Sequence, residues 1–228
     1  MDEFFVGYLS IPPGIRRFIR RTVAGLLALA ALVAAVIVVS QSPFIASRFD
    51  FQQFSEYEGT LTALPYPALS NGWLLVSPGK HGATGLPAGY VKLKGQRIQN
   101  GELRMLELLP GSVAPAAGVA QPVERVSLGE VEWTGEIVDS KCYYGVMNPG
   151  RGKVHRDCAA RCIAGGVPPA LLVRDAAGTA RTVLLSGADQ RPLGEQLLRH
   201  VAEPVVVQGR LWRISGQLIL GATSVQGR

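Results

Sequence analysis

Residues 91–106 read VKLKGQRIQNGELRML and residues 206–220 read VVQGRLWRISGQLIL. Each is a strand-like run broken by one glycine (Gly95, Gly209). A polar turn (Gln99-Asn100-Gly101 or Ile214-Ser215-Gly216) and a second apolar run follow, the signature of a β-hairpin. Glu56-Tyr57-Glu58-Gly59 likewise parallels Glu132-Trp133-Thr134-Gly135. The same pattern in both halves of the chain points to a diverged internal duplication.

Working outward, short alternating or β-branched runs bounded by Gly and Pro predict strands at 57–64, 72–77, 89–95 and 102–109 in the first copy. The second copy has them at 130–139, 170–175, 180–186, 204–213 and 217–225. Residues 110–122, PGSVAPAAGVAQP, are small, Pro-rich and uncharged, as an interdomain linker would be. Residues 192–201 predict a short helix, with Pro192 in its first turn and Leu193, Leu197 and Val201 on one face. Strands, one helix and a closing hairpin in this order resemble the five-stranded oligonucleotide/oligosaccharide-binding (OB) barrel, over about residues 130–226 and more faintly over 56–109, where the helix is missing. The expected fold is mainly β. An N-terminal segment (1–21) and a transmembrane helix (22–41) precede two tandem OB-like small β-barrels (56–110 and 130–228) joined by a linker (111–129). The second barrel carries the short helix and a cysteine-containing loop at 140–169.

The membrane assignment rests on Thr22 to Val39, eighteen residues without a charge or proline. As a helix they rise roughly 27 Å, close to the ~30 Å hydrocarbon core. Arg16, Arg17, Arg20 and Arg21 precede this run, and no charge follows it until Arg48. The positive-inside rule then leaves the N-terminus in the cytoplasm of a bacterial cell and the barrels in the periplasm. A cleaved signal peptide shares the charged and apolar pattern, but this run exceeds a usual h-region and Pro43 is a poor neighbour for a scission site. An uncleaved single-pass inner-membrane anchor, in contact with its lipid, is therefore expected. Phe4, Phe5, Tyr8 and Leu9 suit the membrane interface or a partner subunit.

With the four arginines, Asp2 and Glu3 set aside, 19 basic and 15 acidic residues remain of the 23 and 17 in the 228-residue chain. So mild a balance, outside the cytoplasm, speaks against nucleic acid and for solubility, an anionic lipid surface or an acidic protein. No Ser-His-Asp order, paired carboxylates or dinucleotide fingerprint stands out, so an independent hydrolase or dehydrogenase is not expected.

Chemistry concentrates between residues 139 and 166. Asp139-Ser140-Lys141-Cys142, then His155-Arg156-Asp157-Cys158 and Cys162, with Gly165-Gly166 behind, contain all three cysteines and one of three histidines. Five basic residues (Lys141, Arg151, Lys153, Arg156, Arg161) accompany them. A helical turn from His155 to Ile163, ended by the glycine pair, would put Cys158 and Cys162 on one face with His155.

Three readings of this segment stay open. A disulfide from Cys142 to Cys158 or Cys162 would staple the loop, leaving one odd thiol. Cys142, His155, Cys158 and Cys162 would form a tetrahedral metal site for zinc, or for copper with help from Met147. Lys141, Arg156 and Arg161 would otherwise favour thiolates for redox exchange or an anion.

The C-x3-C spacing resembles copper-handling proteins of respiratory-oxidase assembly, although the downstream His and Met of the binuclear oxidase domain are absent. Gly135-Glu136-Ile137-Val138-Asp139-Ser140-Lys141-Cys142 with the later C-x3-C and Gly165-Gly166 also resembles a group of small exported bacterial domains, which implies an exported β-domain and no particular reaction. An anchor followed by an OB barrel is similar in architecture to the tethered haem chaperone of cytochrome c maturation, but the His-x-x-x-Tyr motif is missing. The expected role is an accessory or assembly subunit of a membrane redox complex. A metal or haem chaperone, a thiol redox protein and a periplasmic glycan-binding module are the alternatives.

Overall fold

The computed structural model describes residues 7, 10–41, 47–63 and 65–228. The N-terminal aromatic positions (Phe4, Phe5, Tyr8), Leu9 and Pro43 lie outside them. Two units result, residues 1–45 and residues 46–228.

In the first unit, α1 (Pro13–Gln41) runs for 29 residues. Proline fits the first helical position because its missing N–H would be unpaired there anyway. All four arginines fall inside α1, so the basic flank is itself helical. The helix is long and apolar enough to cross a membrane, a test that a signal sequence also passes.

Among the described residues the second unit holds eleven strands. In the first barrel β1 (Ser47–Thr62) pairs with both β2 (Ala68–Leu69) and β4 (Gly89–Asn100). The ring closes through β3 (Leu74–Val76) and β5 (Leu103–Leu108), with β3 and β5 parallel. The second barrel repeats this path with β7 (Arg125–Asp139), β8 (Pro169–Arg174), β9 (Ala180–Gly187), β10 (Pro204–Ile214) and β11 (Gln217–Gly227), again with one parallel pair, β9 and β11. Register follows topology. Gly95 faces Leu108 and Gly209 faces Ala222, while Gly59 faces Val91 and Gly135 faces Val205. The duplication therefore aligns Val91 with Val205, one residue earlier than a start at Val206.

Some boundaries differ from the sequence reading. Strand β1 starts at Ser47 rather than 57, because its irregular first half pairs with the end of β4 across a bulge between Phe49 and Phe54. Within the Pro-rich connection, β6 (Ala114–Pro115) adds to the edge of β4, a place where proline costs no ladder bond. The helix expected at 192–201 is a 3-10 segment, Glu195–His200, entered through Gly194 at φ −143° and ψ −106°, which is not helical geometry.

Leu74-Leu75-Val76, Ala170-Leu171-Leu172 and Val183-Leu184-Leu185 are continuous apolar runs because these strands are covered on both faces. Leu75 fills the first barrel, and Leu171, Val183 and Leu185 fill the second. Leu74, Val76, Ala170, Leu172 and Leu184 point the other way, into a third core shared by the two barrels. Tyr66 Oη crosses the junction to donate to the Leu185 carbonyl at 2.5 Å.

Beside that core lies a buried ion pair. The Lys141 ammonium meets the Glu107 carboxylate and donates to the carbonyls of Ser77 (2.9 Å) and Gly79 (2.6 Å); Gln96 Nε2 donates to the other Glu107 oxygen at 3.0 Å. Removing one partner of such a pair strands the other in low dielectric. Lys141→Met should therefore lower stability by about 3–5 kcal/mol in urea unfolding of the detergent-solubilised chain. The double variant with Glu107→Leu should recover most of that loss.

Candidate metal centre

The 140–168 insertion joins β7 to β8, and its path is set at both ends. Asp139 Oδ1 accepts the Cys142 N–H at 2.8 Å, starting a wide turn over Cys142–Val146 that the Met147 N–H closes onto the Cys142 carbonyl at 3.2 Å. After a 3-10 turn at Lys153–His155 comes α2 (Arg156–Ala164). It ends in a Schellman motif: the Gly166 N–H bonds to Ile163 and the Val167 N–H to Cys162, both at 2.9 Å, with Gly166 at φ +90°. That left-handed position is what glycine supplies there.

These constraints bring three thiols together. Cys158 and Cys162 lie one turn apart on α2, and Cys142 comes from the preceding turn. Their Sγ atoms all lie within 4.8 Å of one another. Cys142 and Cys162 are buried against Val167, whereas Cys158 is half-buried. All three are unbridged. The loop is held instead by the Asp139 cap, the Lys141–Glu107 pair and a bond from the Gly82 N–H to the Gly165 carbonyl at 2.9 Å.

The cation beside the sulfurs is not one of the loop's own bases. Lys80, from the β3–β4 loop of the first barrel, places Nζ 2.7 Å from Cys158 Sγ and 3.8 Å from Cys162 Sγ. Lys141 is engaged with Glu107, Arg156 binds Glu203 at 3.0 Å, and Arg161 is exposed. The hydrogen bond to Cys158, and then, against burial, the charges of the sulfurs, raise the Lys80 pKa. Cys162 is held below its ordinary range, first by the thiol of Cys142 donating to it and then, against burial, by Lys80. Cys142 is pushed far up as that donor, and further by burial and the Asp139 charge. Within the cluster the proton is thus held more tightly at Cys142 than at Cys162.

His155 is not part of the three-thiol set. It is buried, with Nε2 3.1 Å from Asp139 Oδ2, and groups with Asp139 and Cys142 within the same 4.8 Å limit. The expected four-ligand set of Cys142, His155, Cys158 and Cys162 is therefore two overlapping triads that share Cys142. Three cysteines with a histidine and an aspartate this close can hold a metal ion. Met147, the suggested copper ligand, is 47% exposed. His81 is exposed and lines a cavity of about 720 Å³ with Ser77, Gly82 and Gly165. Trp73, Trp133 and Trp212 all pack against cores, and Arg104 lies over the Trp73 ring at 5.6 Å.

No known protein family, curated protein or solved structure matches this chain.

The first barrel's loop approaches so closely that a Cβ on Gly165 would sit 1.9 Å from the Lys80 carbonyl oxygen, and one on Gly82 would sit 2.1 Å from that of Gly166. Gly165→Ala must push the loop away. Cys162 should then be alkylated several-fold faster than in the parent protein, with the far-UV spectrum unchanged. Unaltered Cys162 reactivity would show that this loop does not cover the thiols.

Proposed function

We propose that this is a single-pass protein of the bacterial inner membrane whose periplasmic barrel pair binds one zinc or copper(I) ion through Cys142, Cys158 and Cys162. It serves as an accessory or assembly subunit of a membrane redox complex. The observation that carries the metal reading is the convergence of three unbridged Sγ atoms within 4.8 Å. Three soft thiolates suit copper(I) as a trigonal set and zinc with one added ligand. Lys80 offsets part of their negative charge. The basic N-terminal end of α1 supports the orientation, and the membrane supports the redox partner by placing a thiolate-bound metal beside membrane complexes.

The lowered pKa of Cys162, one helical turn from a half-exposed Cys158, supports a second reading, dithiol exchange. There the Cys158 and Cys162 thiols would form a disulfide, giving two electrons and two protons to a client disulfide that is reduced to two thiols.

Free thiols and bound metal, counted together on protein purified from an oxidising periplasm, separate the two. At least one metal ion per chain, with the ion on the three thiolates lost in Cys158→Ser and Cys162→Ser, is the expected result. One free thiol with no metal would move the protein to disulfide chemistry or a structural staple. Gentle detergent extraction should also return a stoichiometric membrane partner; the protein alone across several detergents would count against the subunit role.

A further inference from the structure

We infer that Asp139, Cys142 and His155 form a second cation site, for a borderline divalent ion such as zinc, and that Cys142 Sγ bridges it to the three-thiolate site. The inference rests on the metal reading above and extends it from one ion to two.

Geometry is the first support. Oxygen and nitrogen ligands at about 2.0–2.2 Å from a tetrahedral zinc lie roughly 3.3–3.5 Å apart. Asp139 Oδ2 and His155 Nε2 are already 3.1 Å apart, a few tenths of an ångström short of that edge. Cys142 Sγ closes the triangle within 4.8 Å. One sulfur, one nitrogen and one oxygen donor make a set for a borderline divalent ion rather than for copper(I).

Preorganisation is the second. Asp139 and His155 are buried at 0% and 4% exposure, so both donors are shielded from bulk water. The Cys142 N–H fixes Asp139 Oδ1 and leaves Oδ2 directed at the imidazole. His155 stands at the end of a 3-10 turn closed by its own N–H on the Gly152 carbonyl at 2.9 Å. Outer hydrogen bonds of this kind orient ligating groups in metal sites.

Charge is the third. Three thiolates and the Asp139 carboxylate carry four negative charges, and Lys80 supplies one positive charge to the sulfurs. A single divalent ion on the thiolates leaves one negative charge in excess, on the side where Asp139 lies. A second cation would be attracted there.

Cobalt(II) titration of the full chain in detergent tests this, with bound metal counted after gel filtration. His155→Gln keeps a hydrogen-bond donor toward Asp139 and removes the imidazole ligand; Asp139→Asn is the second variant in case the first does not fold. Two cobalt ions should bind the parent chain, the first bringing sulfur-to-metal charge-transfer absorption. The second should weaken the electron paramagnetic resonance signal per ion through the shared sulfur. Either variant should retain the first ion and lose both the second and the weakening. One ion in the parent chain, retained in His155→Gln and lost in Cys158→Ser, overturns the second site and leaves the three-thiolate reading standing. One ion lost in both variants makes His155 a ligand of a single site, which also overturns it. No bound ion in the parent chain overturns both readings.

Discussion

The structure depends on a single packing constraint: the central strands of each barrel must be covered on both faces. A closed five-stranded barrel this small buries a small core by itself, and the apolar residues on the outside of β3, β5, β8 and β9 need a second surface. Each barrel is that surface for the other. Leu75 and Leu185 stabilise their own barrels, while Leu74 and Leu184, one residue before them, stabilise the pair. Once the shared core forms, the β3–β4 loop of one barrel and the insertion of the other lie against each other, and polar groups at that seam must find partners across it.

The candidate centre follows from this seam. Lys141 immediately precedes Cys142, and its ammonium ends among Glu107 and two carbonyls of the first barrel. The position of the first sulfur is thus tied to a barrel other than its own. The Schellman end of α2 fixes Cys162, and the glycines that form it also allow the close approach that brings in Lys80. Backbone geometry, a buried ion pair and a single ammonium together set where three sulfurs meet and which of them holds its proton most tightly.

How much of this could be read in the sequence follows from the range of the interactions. The hairpins at 91–106 and 206–220, the apolar helix and the glycine-closed turn around Cys158 and Cys162 are local, so periodicity and turn chemistry found them. The outer half of β1, around Arg48 to Phe54, has no clear alternation, because its pairing is set by a bulge and by the end of β4. Lys80 lies in a Gly-rich loop 78 residues before Cys158, and nothing in its neighbourhood marks it. Asp139 was visible only as a neighbour of Cys142. Its hold on His155 draws the imidazole away from the other two sulfurs, which helical spacing alone would have placed beside it.

The matched registers give the shared core a further meaning. Leu74, Ile98 and Met105 of the first barrel hold the same ladder positions as Leu184, Trp212 and Ile219 of the second, and all six pack into the shared core. Like faces therefore meet, as they do in an isologous contact about a two-fold axis. The chain is in effect a homodimer interface written within one polypeptide, but only one half carries the long insertion, between β7 and β8. The half without an insertion supplies, through its β3–β4 loop, the wall that closes over the sulfurs.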